Sequence, residues 1–267
     1  MNIPKIPNFP AININDCFSF TPETDPKTSK GIRTDLHFLQ SEYQRLDIIA
    51  SALCTCAALR GDGDTETENR RLHRLVQQED ALFQWVAVDP EDPAQLLQAQ
   101  KLLSSPKVLG IRIPASLRRR GLSSYGDSLF AFAREQSAAV MVQPVFFPEL
   151  AVLAEKYPEV TVIVPQLCIE RLDKPCYAEH ITKLPNVYTD TSGGPAALNN
   201  SLEHVVEVCG ADRVLFSTCG ESLAFEKARI LLSSLSPEDQ QKILWRNAAN
   251  VFPKIAAWLE SRKEVLL

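Results

Sequence analysis

Short apolar runs recur along the chain, and between them the apolar positions fall three and four residues apart. Eight runs read as strands: Ala11–Phe20, Asp47–Cys54, Phe83–Asp89, Val108–Ile113, Ala138–Val145, Val160–Gln166, Asn186–Thr191 and Arg213–Thr218. Several, such as VLGIRI and VTVIV, are apolar at consecutive positions, the pattern of parallel strands covered on both faces. The segments between them carry helical spacing: DLHFLQSEYQRL, ENRRLHRLVQQED, PAQLLQAQKLLSS, YGDSLFAFAREQ, PELAVLAEKY, AALNNSLEHVVEVCG and SLAFEKARILLSSL. In the second, Leu72, Leu75 and Val76 make one apolar stripe with charge on the other side. The sixth connection, Cys168 to Leu184, is interrupted by Pro175.

Eight β-α units over residues 11–235 predict a (β/α)8 TIM barrel of the α/β class. The rival, an open doubly wound sheet, usually carries a glycine-rich phosphate loop after its first strand, and NDCFSFTPE contains no glycine. Ser236, Pro237 and the acids that follow then start a further helix, bent or broken near Pro253. The expectation is one domain over residues 1–267, with C-terminal helices at 236–264.

Composition adds mainly exclusions. The net charge is −5 and no basic run is longer than Arg118–Arg120, so the clustered footprint of a nucleic-acid binder is missing. No apolar run approaches the ~18 residues of a membrane span. The start, MNIPKIPNFP, lacks the charged and apolar regions of a signal peptide. Seven cysteines, an odd number with no small scaffold to staple, predict reduced thiols and a cytoplasmic setting. GDGDTETE, Gly61–Glu68, lacks the full ligand spacing of a calcium loop.

Barrels of this kind keep their chemistry at the carboxyl ends of the strands. Those ends supply Phe18, Phe20, Cys54 or Cys56, Asp89, Arg112, Gln143, Gln166, Asp190 and Cys219. None is a histidine: His37, His73, His180 and His204 all fall in helical segments or in the sixth connection. Asp16 reads as a local hydrogen-bonding group, Asn247 as an anchor for the terminal helix, and Trp85, Trp245 and Trp258 as packing residues. The pair Cys54–Cys56 reads as strand alternation.

Five segments carry a resemblance in their order and spacing: VLGIRI, LAEKYPEVTVIVPQLC, LPNVYTDTSG, GADRVLFSTCGES and ILWRNAANVF. They resemble the amidohydrolase-related, metal-dependent hydrolases and decarboxylases of the aminocarboxymuconate-semialdehyde decarboxylase type. The resemblance implies a divalent metal such as zinc, held by an Asp-x-His-x-His first strand, histidines on strands five and six, and an aspartate on strand eight. Here DCFSF puts Phe18 and Phe20 at the first-strand histidine positions, Gln143 and Gln166 at the next two, and Cys219 at the aspartate. A catalytic zinc needs roughly three imidazole, carboxylate or thiolate ligands. The changes therefore predict no metal cofactor and loss of the family's metal-dependent reaction, in a barrel kept for binding a small carboxylated or aromatic ligand or for assembly. The ligand pocket would be Phe18, Phe20, Arg112, Gln143, Gln166, Asp190 and Cys219, with Arg112 favouring an anion. The family also implies a homodimer.

Three alternatives keep some chemistry. Cys219, just before a helix, is a candidate nucleophile, with Glu221 next door and His180 able to come from the sixth connection. Cys168, Cys176 and Cys219, with Cys17 on the first strand, are a candidate thiolate metal site, although their spacing matches no zinc knuckle. A metal-free hydrolase acting on a lactone, ester or amide would use Arg112 to hold substrate and Asp190 to orient it; otherwise these two make an internal ion pair.

Overall fold

A computed structural model describes residues 8–20, 35–61, 64–114, 117, 120–143, 146–168, 177–193, 200–218 and 223–262. The strands are β1 (Ala11–Phe18), β2 (Ile48–Thr55), β3 (Leu82–Ala87), β4 (Val108–Arg112), β5 (Ala139–Met141), β6 (Val162–Val164), β7 (Val187–Asp190) and β8 (Val214–Leu215). They pair in parallel in chain order, β1 through β8. The last segment returns to the first: the Ile14 N–H donates to the Phe216 carbonyl at 3.0 Å. This is the eight-stranded α/β barrel expected from the alternation.

The helices are α1 (Leu36–Arg45), α2 (Cys56–Arg60), α3 (Thr65–Gln78), α4 (Pro93–Leu103), α5 (Gly126–Glu135), α6 (Phe147–Lys156), α7 (Ala178–Ile181), α8 (Ser201–Cys209) and α9 (Leu223–Leu231). Side-chain caps fix several starts: Asp35, Asp64 and Asp92 each accept from backbone N–H groups of the first turn, and Pro93 opens α4. The C-terminal segment starts as expected, with the Ser236 Oγ accepting from the Asp239 N–H at 3.1 Å and Pro237 opening α10 (Pro237–Gln241). A π turn, Lys242–Arg246, leads into α11 (Asn247–Val251), and the chain breaks at Phe252 before α12 (Pro253–Glu260). Asn247 donates to the carbonyls of Ala211 and Val214, both at 2.7 Å, which anchors this segment to β8.

Two kinds of core follow from strands covered on both faces. Side chains from all eight strands meet inside the barrel, among them Ile12, Ile14, Ala52, Cys54, Trp85, Met141, Ile163 and Leu215, with Tyr188 packed against them. Phe252 and Trp258 close the end where the strands begin, edge-on to Trp85 and Phe83 at 5.9 and 6.1 Å. The outer faces of the strands pack under the helices in two further clusters. β4 lies so close to β5 that a Cβ at Gly110 would run into the Ala139 carbonyl and the Trp85 ring.

At the same closed end, three lysines satisfy carbonyls where helices turn into strands. Lys254 of α12 donates to Leu103, Ser105 and Val108 at 2.8, 2.9 and 2.7 Å. Lys107 donates to the carbonyls of Glu79 and Asp80, and Lys227 of α9 to those of Leu46 and Asp47. Burial lowers the pKa of all three.

Two substitutions test this account. Lys254→Met strands three acceptors and should cost about 1–3 kcal/mol in urea-unfolding free energy. Gly110→Ala cannot be relieved by a rotamer change, because the obstacle is backbone. It should cost about 4 kcal/mol or more, measured by the same titration.

Candidate ligand site at the barrel mouth

A β-strand without irregularities would point every second residue of AININDCFSF inward, which puts Phe18 and Phe20 with Ile12 and Ile14. The structure departs from that. Between the pairs Asn13↔Ser51 and Asp16↔Leu53, β1 advances three residues while β2 advances two. This bulge reverses the parity of the strand. Beyond it, Asn15 and Cys17 face the interior, and Asp16 and Phe18 face the helices.

Phe18 and Phe20, expected from sequence to line the mouth, therefore face the outer layer and do not line the cavity there. Phe18 is buried in the outer layer with Leu39 and Tyr43. Phe20 stacks edge-on against Phe18 at 4.6 Å and lies under the Arg71 guanidinium at 4.1 Å. The inward positions of β1 carry an amide and a thiol instead of two rings.

Asn15, Cys17, Arg112, Gln143, Gln166 and Ser192 line one cavity of about 170 Å3 at the carboxyl end of the strands. Arg112 ends β4 and is only 5% exposed. Its Nη1 donates to the Asn15 Oδ1 at 2.5 Å, and the Asn15 Nδ2 donates to the Asp190 Oδ2 at 3.0 Å. The other Asp190 oxygen accepts from the Gln166 N–H at 3.0 Å and from the N–H and hydroxyl of Ser192 at 2.9 and 2.5 Å. Asp190 thus organises three elements of the rim, and Asn15 stands between it and Arg112.

Gln143 and Gln166 lie just beyond their strands, which are shorter than their apolar runs suggest. Gln166 and Leu167 follow Pro165 with φ of 66° and 52°, backbone values that cost a residue with a Cβ about 1–3 kcal/mol each. The Asp190 carboxylate gripping the Gln166 N–H is one contact that holds this turn. Gly193 (φ 86°) completes it, since a Cβ there would press on the Gln166 amide.

Behind β1 lies a second buried polar group. Asp16 accepts from the Tyr43 hydroxyl at 2.6 Å, from the Asn13 amide at 3.0 Å and from the Cys17 N–H at 2.8 Å. Asn13 also donates to Thr218 at 2.8 Å. Burial pushes the Asp16 carboxyl up to about 6, against hydrogen bonds from Tyr43, Cys17 and Thr218 and the Arg112 charge, which draw it down. Burial and the adjoining Asp16 push the Tyr43 phenol well above its usual value.

The remaining candidates fall elsewhere. Cys176, Cys219 and Glu221 lie outside the described residues, as does the Cys168 side chain. Cys56 has left β2 and begins α2, so it does not continue the strand alternation of Cys54. All four histidines sit on helices: His37 on α1, His73 on α3, His180 on α7 and His204 on α8. Asn15 and Ser192 do not emerge from sequence, and Cys17 does so only as a candidate metal thiolate. Asn13-x-Asn15-x-Cys17 has the same spacing as the expected first-strand motif, and three polar residues in an otherwise apolar run were the signal for it.

A family profile described as amidohydrolase (Amidohydro_2) matches residues 60–254. The chain belongs to this amidohydrolase family. No curated protein sequence matches it. Among solved structures, the fold is similar to 5-carboxyvanillate decarboxylase from Sphingomonas paucimobilis, at 13% identity and a TM-score of 0.72 over 91% of this chain and 99% of that one. The Novosphingobium aromaticivorans 5-carboxyvanillate decarboxylase, complexed with manganese and 4-hydroxy-3-methoxy-5-nitrobenzoic acid, gives 14% and 0.70 over 92% and 96%. A zinc-bound amidohydrolase from Burkholderia multivorans gives 15% and 0.70 over 92% and 99%.

The donors that the described residues bring to the cavity are not the imidazoles and carboxylates that usually hold zinc. The cavity offers neutral amides from Asn15, Gln143 and Gln166, the Cys17 thiol, the Ser192 hydroxyl and the guanidiniums of Arg60 and Arg112, and Asn15 is already engaged on both sides. Among the described residues, no group of three His, Cys, Asp or Glu side chains is placed to hold a metal ion. No helix among them is long and apolar enough to cross a membrane.

The raised Asp16 pKa makes a pH prediction. Its folded pKa of about 6 exceeds the unfolded 3.8, so its contribution to stability is fully present below 3.8 and is lost as the pH rises through 6. Relative to Asp16→Asn, the wild type should lose about 2 kcal/mol of unfolding free energy between pH 4 and pH 7. Parallel urea titrations would read this, and a constant difference between the two proteins would refute it.

Proposed function

We propose that this amidohydrolase-family barrel binds a small carboxylated ligand at its mouth and has lost the metal-dependent hydrolysis or decarboxylation of its relatives. The observation that carries the reading is Arg112. It is a buried guanidinium on the wall of the mouth cavity, and it faces amide and hydroxyl groups there. Such a site suits a carboxylate, which a guanidinium can meet with two parallel hydrogen bonds. Gln143, Gln166 and Ser192 would supply further directed donors and acceptors.

The size of the cavity favours a small ligand. Its 170 Å3 corresponds to about six water molecules of liquid volume, below the ~300 Å3 at which ordinary ligand pockets begin. A short carboxylate fits that volume better than the substituted aromatic acids of the decarboxylases. Without an imidazole or a spare carboxylate among the described residues of the cavity, a water held there has no positioned base.

The test has two arms. Protein purified without chelator and then exposed to zinc or manganese should retain well below one metal per chain by mass spectrometry. Calorimetric titration with acetate, pyruvate and benzoate should show binding, with the shorter acids preferred. Arg112→Met should weaken that binding about 30-fold or more, as loss of one partner of a buried charge pair does. One tightly held metal per chain, or carboxylate binding indifferent to Arg112→Met, would overturn the proposal.

A further inference from the structure

The mouth holds a pair of thiols that the ligand reading does not use. Cys17 and Cys54 are register partners on neighbouring parallel strands. Adjacent strands run about 4.8 Å apart, within the ~4.4–6.8 Å between Cα atoms that a disulfide spans. Register partners in a parallel pair point to the same side, and both residues here point inward. Cys17 lines the cavity, while Cys54 is fully buried in the barrel interior with Ala52 and Trp85. Both are thiols. Cys17 is reached from the cavity, and Cys54 is fully buried beside it.

We infer that Cys17 and Cys54 are a redox-modifiable dithiol that closes to an intramolecular disulfide when a peroxide enters the barrel mouth. The Cys17 thiolate attacks one peroxide oxygen, the O–O bond breaks, hydroxide leaves, and Cys17 becomes a sulfenic acid. Cys54 then attacks the Cys17 sulfur, the S–O bond breaks and the oxygen leaves as water. In sum two thiols and one hydrogen peroxide give one disulfide and two waters, with two electrons passing from sulfur to oxygen. The buried position of Cys54 makes it the resolving partner, and its closeness intercepts the sulfenic acid before further oxidation.

The same geometry makes the bond a switch and not a staple. Side chains standing parallel on neighbouring strands keep their Cβ atoms near the strand spacing, wider than the ~3.8 Å of a relaxed disulfide. Closing it pulls β1 toward β2 just past the bulge. A strained bond has a higher reduction potential and is readily reduced.

The experiment uses the full chain carrying Cys56→Ser, so that the tryptic peptide 46–60 contains Cys54 alone. After treatment with a few equivalents of hydrogen peroxide, thiols are blocked with N-ethylmaleimide and the protein is digested without reductant. The expected product is peptide 6–27, which carries Cys17, joined to peptide 46–60 with the loss of two hydrogens. Dithiothreitol should separate them, and the joined species should vanish in Cys17→Ser and in Cys54→Ser. Any other product overturns the inference: unreacted thiols, sulfinic acid on Cys17, or Cys17 joined to a different cysteine. The outcome does not depend on whether the cavity binds a carboxylate.

Discussion

Taking a guanidinium out of water is expensive, and a barrel mouth can hold one only if its partners are fixed in advance. Arg112 has such a partner in Asn15, whose amide is turned to present its oxygen because its nitrogen is held by Asp190. Asp190 in turn fixes the left-handed turn at Gln166 and the loop at Ser192. Each of these groups has one orientation that satisfies its neighbours. The orientation of the cavity wall, and the charge it offers to a ligand, follow from that chain of contacts. Asn15 reaches it only because the bulge in β1 turns residue 15 inward.

That bulge also marks the limit of what could be read from sequence. The barrel was legible because eight apolar runs separated by helical stripes leave few other ways to cover both faces of a parallel sheet. The start of α10 and the break before α12 were legible because Ser236, Pro237 and Pro253 act locally. Arg112, Gln143 and Gln166 could be placed near strand ends by counting from the apolar runs. The facing of Phe18 could not be found by counting. It depends on how β1 pairs with β2 on one side and with residues 216–218 on the other, through the Ile14 N–H and the Asn15 carbonyl. Local propensity has no knowledge of either partner.

Membership of the amidohydrolase family and the character of the cavity pull in different directions. The family profile and the solved neighbours describe a scaffold, and at this level of identity a scaffold is all that the neighbours share with the chain. The side chains on the rim are the part that chemistry depends on, and there the described donors are amides, a thiol, a hydroxyl and two guanidiniums. A fold can persist while its site changes, because core packing and rim chemistry draw on different positions of the same strands.

The lysines at the closed end bear on how the chain reaches this fold in the first place. Lys227 and Lys254 lie late in the sequence, yet they satisfy carbonyls at the α1–β2 and α4–β4 turns. A polypeptide emerging from a ribosome presents those turns long before their lysines exist. Its first half is left with uncapped carbonyls, and its strands are left without β8 to return to β1. The early units have to wait in an incomplete state until the last helices are made. Synthesis that stops short of β8 leaves an open sheet with exposed strand edges, the form in which such chains are captured by chaperones or aggregate.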